Sequence, residues 1–138
     1  ETARPTVTAL RDVTGESAQL WLPDGEWRVC LLSVEATHEL RTIVDEGSRV
    51  AIDVGSGGRA LQGEAGTAGW VATVGERADG VGSVSAGVLG PSGSVVAAVG
   101  ISGPIDRLGD DPGARFGGDV VAAANELSEA LGVPPRHG

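Results

Sequence analysis

Small residues and hydroxyls alternate with apolar ones in two neighbouring stretches of this 138-residue chain, a spacing that builds a hydrogen-bonding surface rather than a bond-breaking centre. Residues 81–89 and 94–102 read as two strands, and Gly90-Pro91-Ser92-Gly93 supplies a turn between them. With an even loop of two or four residues, Leu89 pairs with Ser94, which puts Ser83 opposite Gly100 and Val81 opposite Ser102. One face then carries Val84, Ala86, Val88, Val95, Ala97, Val99 and Ile101 and suits packing under helices. The other carries Ser83, Ser85, Gly87, Ala98, Gly100 and Ser102, a floor with room for a small polar ligand. Upstream, the loop Val54-Gly55-Ser56-Gly57-Gly58 leads into a short helix whose first N–H groups lack internal partners, an end that suits a carboxylate.

Other chemistries have little to stand on. His38 and His137 are the only histidines; His38 lies beside Glu39 in a loop or strand edge, and His137 lies in a proline-rich tail. There is no Gly-x-Ser-x-Gly elbow and no cysteine–histidine metal spacing, so no catalytic residue, metal or cofactor is expected. The lone Cys30 is a small core residue that cannot form an internal disulfide. Gly55-x-Gly57-x-x-Ala60 with Glu76 matches the dinucleotide fingerprint, but antiparallel strands rather than a parallel βαβ unit follow, so the match is by chance. Trp21, Trp27 and Trp70 are core or interface residues. Trp21, opposite in phase to Leu20 and Leu22, is the one able to reach a ligand or partner.

The elements that must position these residues follow from periodicity. Residues 5–14 form a helix, with Pro5 at its start and Gly15 at its stop. Residues 17–22 and 27–34 make a first hairpin about Pro23-Asp24-Gly25, and residues 40–44 a third strand. A short helix runs from Gly55 or Ser56 to Gln62, and a strand covers 69–74. A last helix starts at Pro112, shows Phe116, Val120, Ala124, Leu127 and Leu131 on one face, and stops at Gly132. Gly117 and Gly118 weaken its first turns by about 1 kcal/mol each relative to Ala. This order implies an α+β fold, an antiparallel sheet with helices packed on it.

Length and composition suit a single domain spanning 1–138. No apolar run approaches ~18 residues and the first residues lack a signal peptide's pattern, so a cytoplasmic protein with no membrane contact is expected. A net charge of −9 argues against this chain holding DNA itself, because phosphate neutralisation needs clustered Lys or Arg.

Ser102-Gly103-Pro104-Ile105-Asp106-Arg107-Leu108, with the strand before it, resembles the V-A-A-x-S-x-S-G-P-x-x-R-L signature of the IclR family of bacterial transcription regulators. Thr14-Gly15-Glu16-Ser17, Gly47-Ser48-Arg49, Gly57-Gly58-Arg59-Ala60-Leu61 and Glu76 with Gly80-Val81 resemble further family motifs in the family's order. The resemblance implies a GAF-like sheet that binds a small organic acid effector and self-associates as a dimer or tetramer. It also implies that DNA is bound only through a winged helix-turn-helix placed before the point where this chain begins. With a first residue that is not Met, the chain is expected to be an isolated effector-binding domain. Carried over residue by residue, Ser56 and Gly57 offer backbone N–H groups to the effector, and Thr73, Ser83, Gly100 and Ser102 line the same cavity. The chain departs from the family in four places. Residues 62–68 replace a longer helical insertion, Asp53 stands for the usual His, Arg59 for Lys, and Gly100 where many relatives have Ser. The competing expectation is a free-standing GAF-like ligand-binding module with no DNA-binding partner.

Overall fold

The computed structural model describes residues 2–132. Helix α1 (Arg4–Thr14) precedes a hairpin of β1 (Ser17–Asp24) and β2 (Trp27–Val34), followed by β3 (Arg49–Ala51) and α2 (Gly55–Leu61). Then come β4 (Val71–Val74), β5 (Val81–Leu89), β6 (Val95–Pro104), the short α3 (Ile105–Leu108) and α4 (Pro112–Ala130). The strands form one antiparallel sheet in the order β3-β2-β1-β6-β5-β4.

Strand alternation divides the core in two. Ala18, Leu20, Val84, Ala86, Val88, Ala97, Val99 and Ile101 face α1 and α4, where Val7, Leu10, Phe116, Val120 and Leu127 meet them. On the opposite face Trp21, Cys30, Val44, Ala60 and Ala98 form a smaller apolar cluster beneath α2. Small residues on that face let α2 approach closely: a Cβ placed on Gly87 would lie 3.6 Å from the Ala60 carbonyl oxygen. The floor of serines and glycines is thus largely occupied by α2 rather than open.

The main hairpin keeps the expected faces but not the expected register. Ser83 stands opposite Ser102, Ser85 opposite Gly100, and Val81 opposite Pro104. The loop between the paired Leu89 and Val95 has five residues, one more than an even turn, and β6 bulges at Val96, which adds another. Two additions make an even slip, so side chains change partners without changing faces. Val95 is the exception. Paired with Leu89, it packs over Gly87 on the α2 side, where a Gly87 Cβ would meet its methyl at 3.2 Å.

Two other expectations are corrected. Residues 40–44 do not form a strand; β3 at Arg49–Ala51 takes the edge of the sheet instead. Their carbonyls are held by side chains rather than by a ladder: Ser17 Oγ donates to Thr42 O at 2.6 Å and Arg107 Nη1 to Leu40 O at 2.7 Å. On α4, Phe116, Val120, Ala124 and Leu127 are buried as expected, whereas Leu131 lies beyond the last turn, 47% exposed. His38 is exposed in the loop after β2, and His137 lies outside the described residues.

An ion pair ties the start of β1 to the far end of β6. Glu16 is buried and receives Arg107 through two bonds of 2.7 and 2.8 Å, so residues from two of the family-like motifs meet here. Leu108, fully buried, fills the space beneath Gly82 and Gly103. The Arg107→Ala variant leaves a buried carboxylate unpaired and is expected to lose about 3 kcal/mol of unfolding free energy in a urea titration. Adjacent glycines of α4 should respond with opposite signs. A Cβ on Gly117 collides with the Trp70 indole, whereas one on exposed Gly118 meets nothing within 4 Å. Gly117→Ala should therefore lower the melting temperature through overpacking of roughly 1–3 kcal/mol, and Gly118→Ala should raise it by gaining about 1 kcal/mol of helix propensity.

Candidate functional site

Between α2 and the sheet, four hydroxyls form a continuous chain. Ser56 Oγ donates to Ser83 Oγ at 2.7 Å and lies 2.8 Å from Ser85 Oγ, while Thr73 Oγ1 lies 2.9 Å from Ser83 Oγ. Ser56 comes from the first turn of α2, and the others come from β4 and β5, where Thr73 pairs directly with Ser83. Ser102, on β6, donates instead to Gln19 Oε1 of β1 at 3.2 Å. The Gln19 amide nitrogen is buried and has no partner.

Gln19, Ser56, Gly57, Ser83, Ser85 and Ser102 border one cavity of about 20 Å³, closed on other sides by Trp21, Gly55, Arg28, Arg77 and Ile101. Of the residues expected from the sequence, Ser56, Gly57, Ser83 and Ser102 thus lie together on this cavity. Thr73 touches it only through Ser83. Gly100 does not border it, because it sits beneath Ser85, and a side chain there would collide with Ser85 Oγ and the Val84 carbonyl. A serine at position 100 and the observed Ser85 position exclude one another.

The arginines carry most of the site's electrostatics. Arg28 is 2% exposed, on the same face of β2 as Cys30. Its Nη1 donates to the Ala51 carbonyl at 2.9 Å and to the Val54 carbonyl, its guanidinium carbon lies 4.6 Å from the Trp21 ring centroid, and its Nε has no hydrogen-bond partner. Burial first, and then the neighbouring charge of Arg77, push the Arg28 guanidinium down to about 10, so it remains cationic at neutral pH. Burial also lowers Arg77. Gly55 lies between the two: a Cβ there would be 3.1 Å from Arg28 Nη2 and 3.6 Å from Arg77 Cβ, and its φ of +81° is itself a glycine conformation. Among the described residues, no carboxylate pairs with either guanidinium.

The start of α2 differs from the expected open anion site. Glu76 Oε1 accepts the Gly55 N–H at 3.2 Å and also the Arg59 Nε–H at 2.9 Å. Hydrogen bonding from Arg59 holds the Glu76 carboxyl below its usual range, with the Gly55 N–H adding to the effect. Gly58 has a separate steric reason, since a Cβ there would strike the Ile52 carbonyl and crowd Arg28 Nη1 at 2.7 Å. The sequence reading missed Gln19, Arg28 and Arg77 and counted Ser85 only as floor. Arg28 had a visible signal, a charge two residues from Cys30 in the buried phase of a strand. Arg77 follows Glu76 in a loop and shows no periodic signal.

Comparison with known proteins bears on this geometry. Residues 63–129 match the family model described as bacterial transcriptional regulator IclR C-terminal. The chain is 27% identical over 172 residues to the HTH-type transcriptional regulator BhcR of Paracoccus denitrificans, in a match covering 99% of this chain and 61% of that protein. That alignment is longer than the chain itself, so the relative carries residues that this chain lacks. The fold also matches the Thermotoga maritima IclR (TM-score 0.86, 19% identity, 95% of this chain and 67% of that one). It matches the Agrobacterium tumefaciens repressor BlcR as well (TM-score 0.84, 18% identity, 96% and 66%). The chain thus spans about three fifths of its curated relative's length, and the family is one of transcriptional regulators rather than enzymes. By motif order, family match and fold together, the chain is similar to the C-terminal domains of IclR-family regulators.

Proposed function

We propose that this chain is a single effector-binding domain of an IclR-type transcription regulator, and that its effector is an organic acid held between α2 and the sheet. The observation that carries this reading is the pair of guanidiniums, Arg28 and Arg77, converging without a carboxylate in a chain of net charge −9. A bound carboxylate would accept from Arg77, from the unpartnered Arg28 Nε or Gln19 Nε2, and from the serine hydroxyls. Ser56, Gly57, Ser83 and Ser102, with Thr73 behind Ser83, frame the site, while Gly100 gives Ser85 its room.

Regulation through DNA is part of the same proposal. Here the names of the relatives supply the support, and phosphate contact is assigned to a winged helix-turn-helix outside this chain. Six of the described arginines pair with acids on this domain, which leaves few cations for a phosphate backbone. Among the described residues no helix is long and apolar enough to cross a membrane, and a regulator of this kind works in the cytoplasm with its DNA. Self-association is proposed through the apolar surface around Leu22, Val96 and Leu131, which borders a groove of about 460 Å³ floored by Leu20, Val88 and Leu127.

Calorimetry with butyrate and its uncharged amide tests the anion reading. The acid should bind at least about tenfold more tightly than the amide, and Arg77→Ala, at a position with no hydrogen bond to maintain, should remove most of that preference while the domain stays folded. Equal affinity for acid and amide would overturn the charge argument. Sedimentation velocity at micromolar concentration should show a dimer or larger species, shifted toward monomer by Val96→Asp. A monomer for the unmodified chain at every concentration would remove the self-association proposal.

A further inference from the structure

The inner cavity, at about 20 Å³, has room for about one water molecule or one carboxylate oxygen and for no carbon skeleton. Arg77, however, borders a second space as well. It lines an open cleft of about 470 Å³, formed by residues of the segment 40–43 on one side and by Val81, Pro104 and Ile105 on the other. Two of the most exposed large apolar side chains of the domain, Leu40 at 69% and Ile43 at 57%, stand along this cleft. Gathered along one cleft, such side chains form an exposed apolar patch of the kind that marks a binding surface. The cleft's charged residues are Arg77, at its junction with the inner cavity, Arg41, which is engaged by Glu35 at 2.8 Å, and the acidic Asp106. The free positive charge therefore lies where the cleft meets the inner cavity, and Leu40, Ile43, Val81, Pro104 and Ile105 supply the cleft's apolar surface.

From this polarity we infer that the outer cleft is the second half of the effector site, so that the ligand is a carboxylic acid with an apolar body of several carbons rather than a two- or three-carbon acid. The inference rests on the anion reading given above. The carboxylate sits at Arg77 and presents one oxygen to the Arg28 and Gln19 donors. The carbon chain runs outward along Leu40, Ile43, Val81 and Ile105, whose side chains offer a hydrophobic body complementary surface. Arg77 is the dividing residue: it fixes the charged end and leaves the length of the ligand to the outer walls.

The test is a titration of straight-chain monocarboxylates from acetate to hexanoate, followed by NMR through the amide signals of Gly55 and Gly57. Affinity should rise about fourfold for each added methylene that the cleft covers. In a Leu40→Ser, Ile43→Ser double variant, altered only at exposed positions, the rise should flatten while acetate binds as before. A flat series in the unmodified protein, with acetate binding as well as hexanoate, would overturn the inference but leave the anion site standing. Failure of every acid to bind, with Arg77→Ala giving the same spectra as the unmodified chain, would overturn both.

Discussion

Burying a guanidinium without a carboxylate costs several kcal/mol, and the region between the sheet and α2 is arranged around meeting that cost at Arg28. Two backbone carbonyls, from Ala51 and Val54, accept from its Nη1, and the face of Trp21 covers its plane. These partners define the path of the chain from β3 into α2. Ile52 is turned so that its carbonyl points at Gly58, and Gly58 must then lack a side chain. With α2 placed in this way, Ser56 reaches both Ser83 and Ser85, and the hydroxyl chain closes. An ordinary hydrophobic residue at position 28 would pack more cheaply. What it would not supply is a fixed positive charge at the back of a cavity, with a donor left over.

The arginines divide by what they face. Arg4, Arg11, Arg41, Arg49, Arg59 and Arg107 pair with acids, and most of those pairs lie at the surface, where each contributes little to stability. Arg107 with buried Glu16 is the structural exception, because one end is out of water and the geometry is bidentate. Arg28 and Arg77 have no acid among the described residues; burial lowers both, and the charge of Arg77 lowers Arg28 further. Placing two like charges side by side is unfavourable, and on the Arg28 side the Ala51 and Val54 carbonyls and the face of Trp21 offset part of that cost.

The hairpin faces were legible because a strand's period of two survives almost any error in its turn, and here the five-residue loop and the Val96 bulge offset one another. Cross-strand partners were not legible, since neither the loop length nor the bulge leaves a mark on alternation. The start of α2 could be read from the run of glycines about Ser56, and α4 from its apolar stripe. Residues 40–44 end in the β-branched run Thr42-Ile43-Val44 that suits a strand, but such residues alone do not provide a neighbour to pair with, and side chains from Ser17 and Arg107 took the carbonyls instead. That Ser83 and Ser102 share a face, and so border one cavity with Ser56, could be read for the same reason as the faces. The site's cationic half could not, because Arg77 owes its position to loop packing and Arg28 to a strand whose burial depends on α2.

A helix start is commonly read as an open anion site, but the start of α2 is not open in that sense. Helix α2 has seven residues, so its dipole is small, and the Gly55 N–H at its first position is already taken by Glu76, whose charge is balanced in turn by Arg59. The helix start is thus satisfied internally. Its contribution to the site is spatial: it lowers Ser56 onto the sheet and, through Gly55, leaves a gap that only glycine can leave between Arg28 and Arg77. Any side chain at position 55 would press on the Arg28 guanidinium, with its Cβ 3.1 Å from Nη2, and would also require a left-handed backbone. The glycines of this loop therefore matter less for the N–H groups they expose than for the two positive charges they allow to converge.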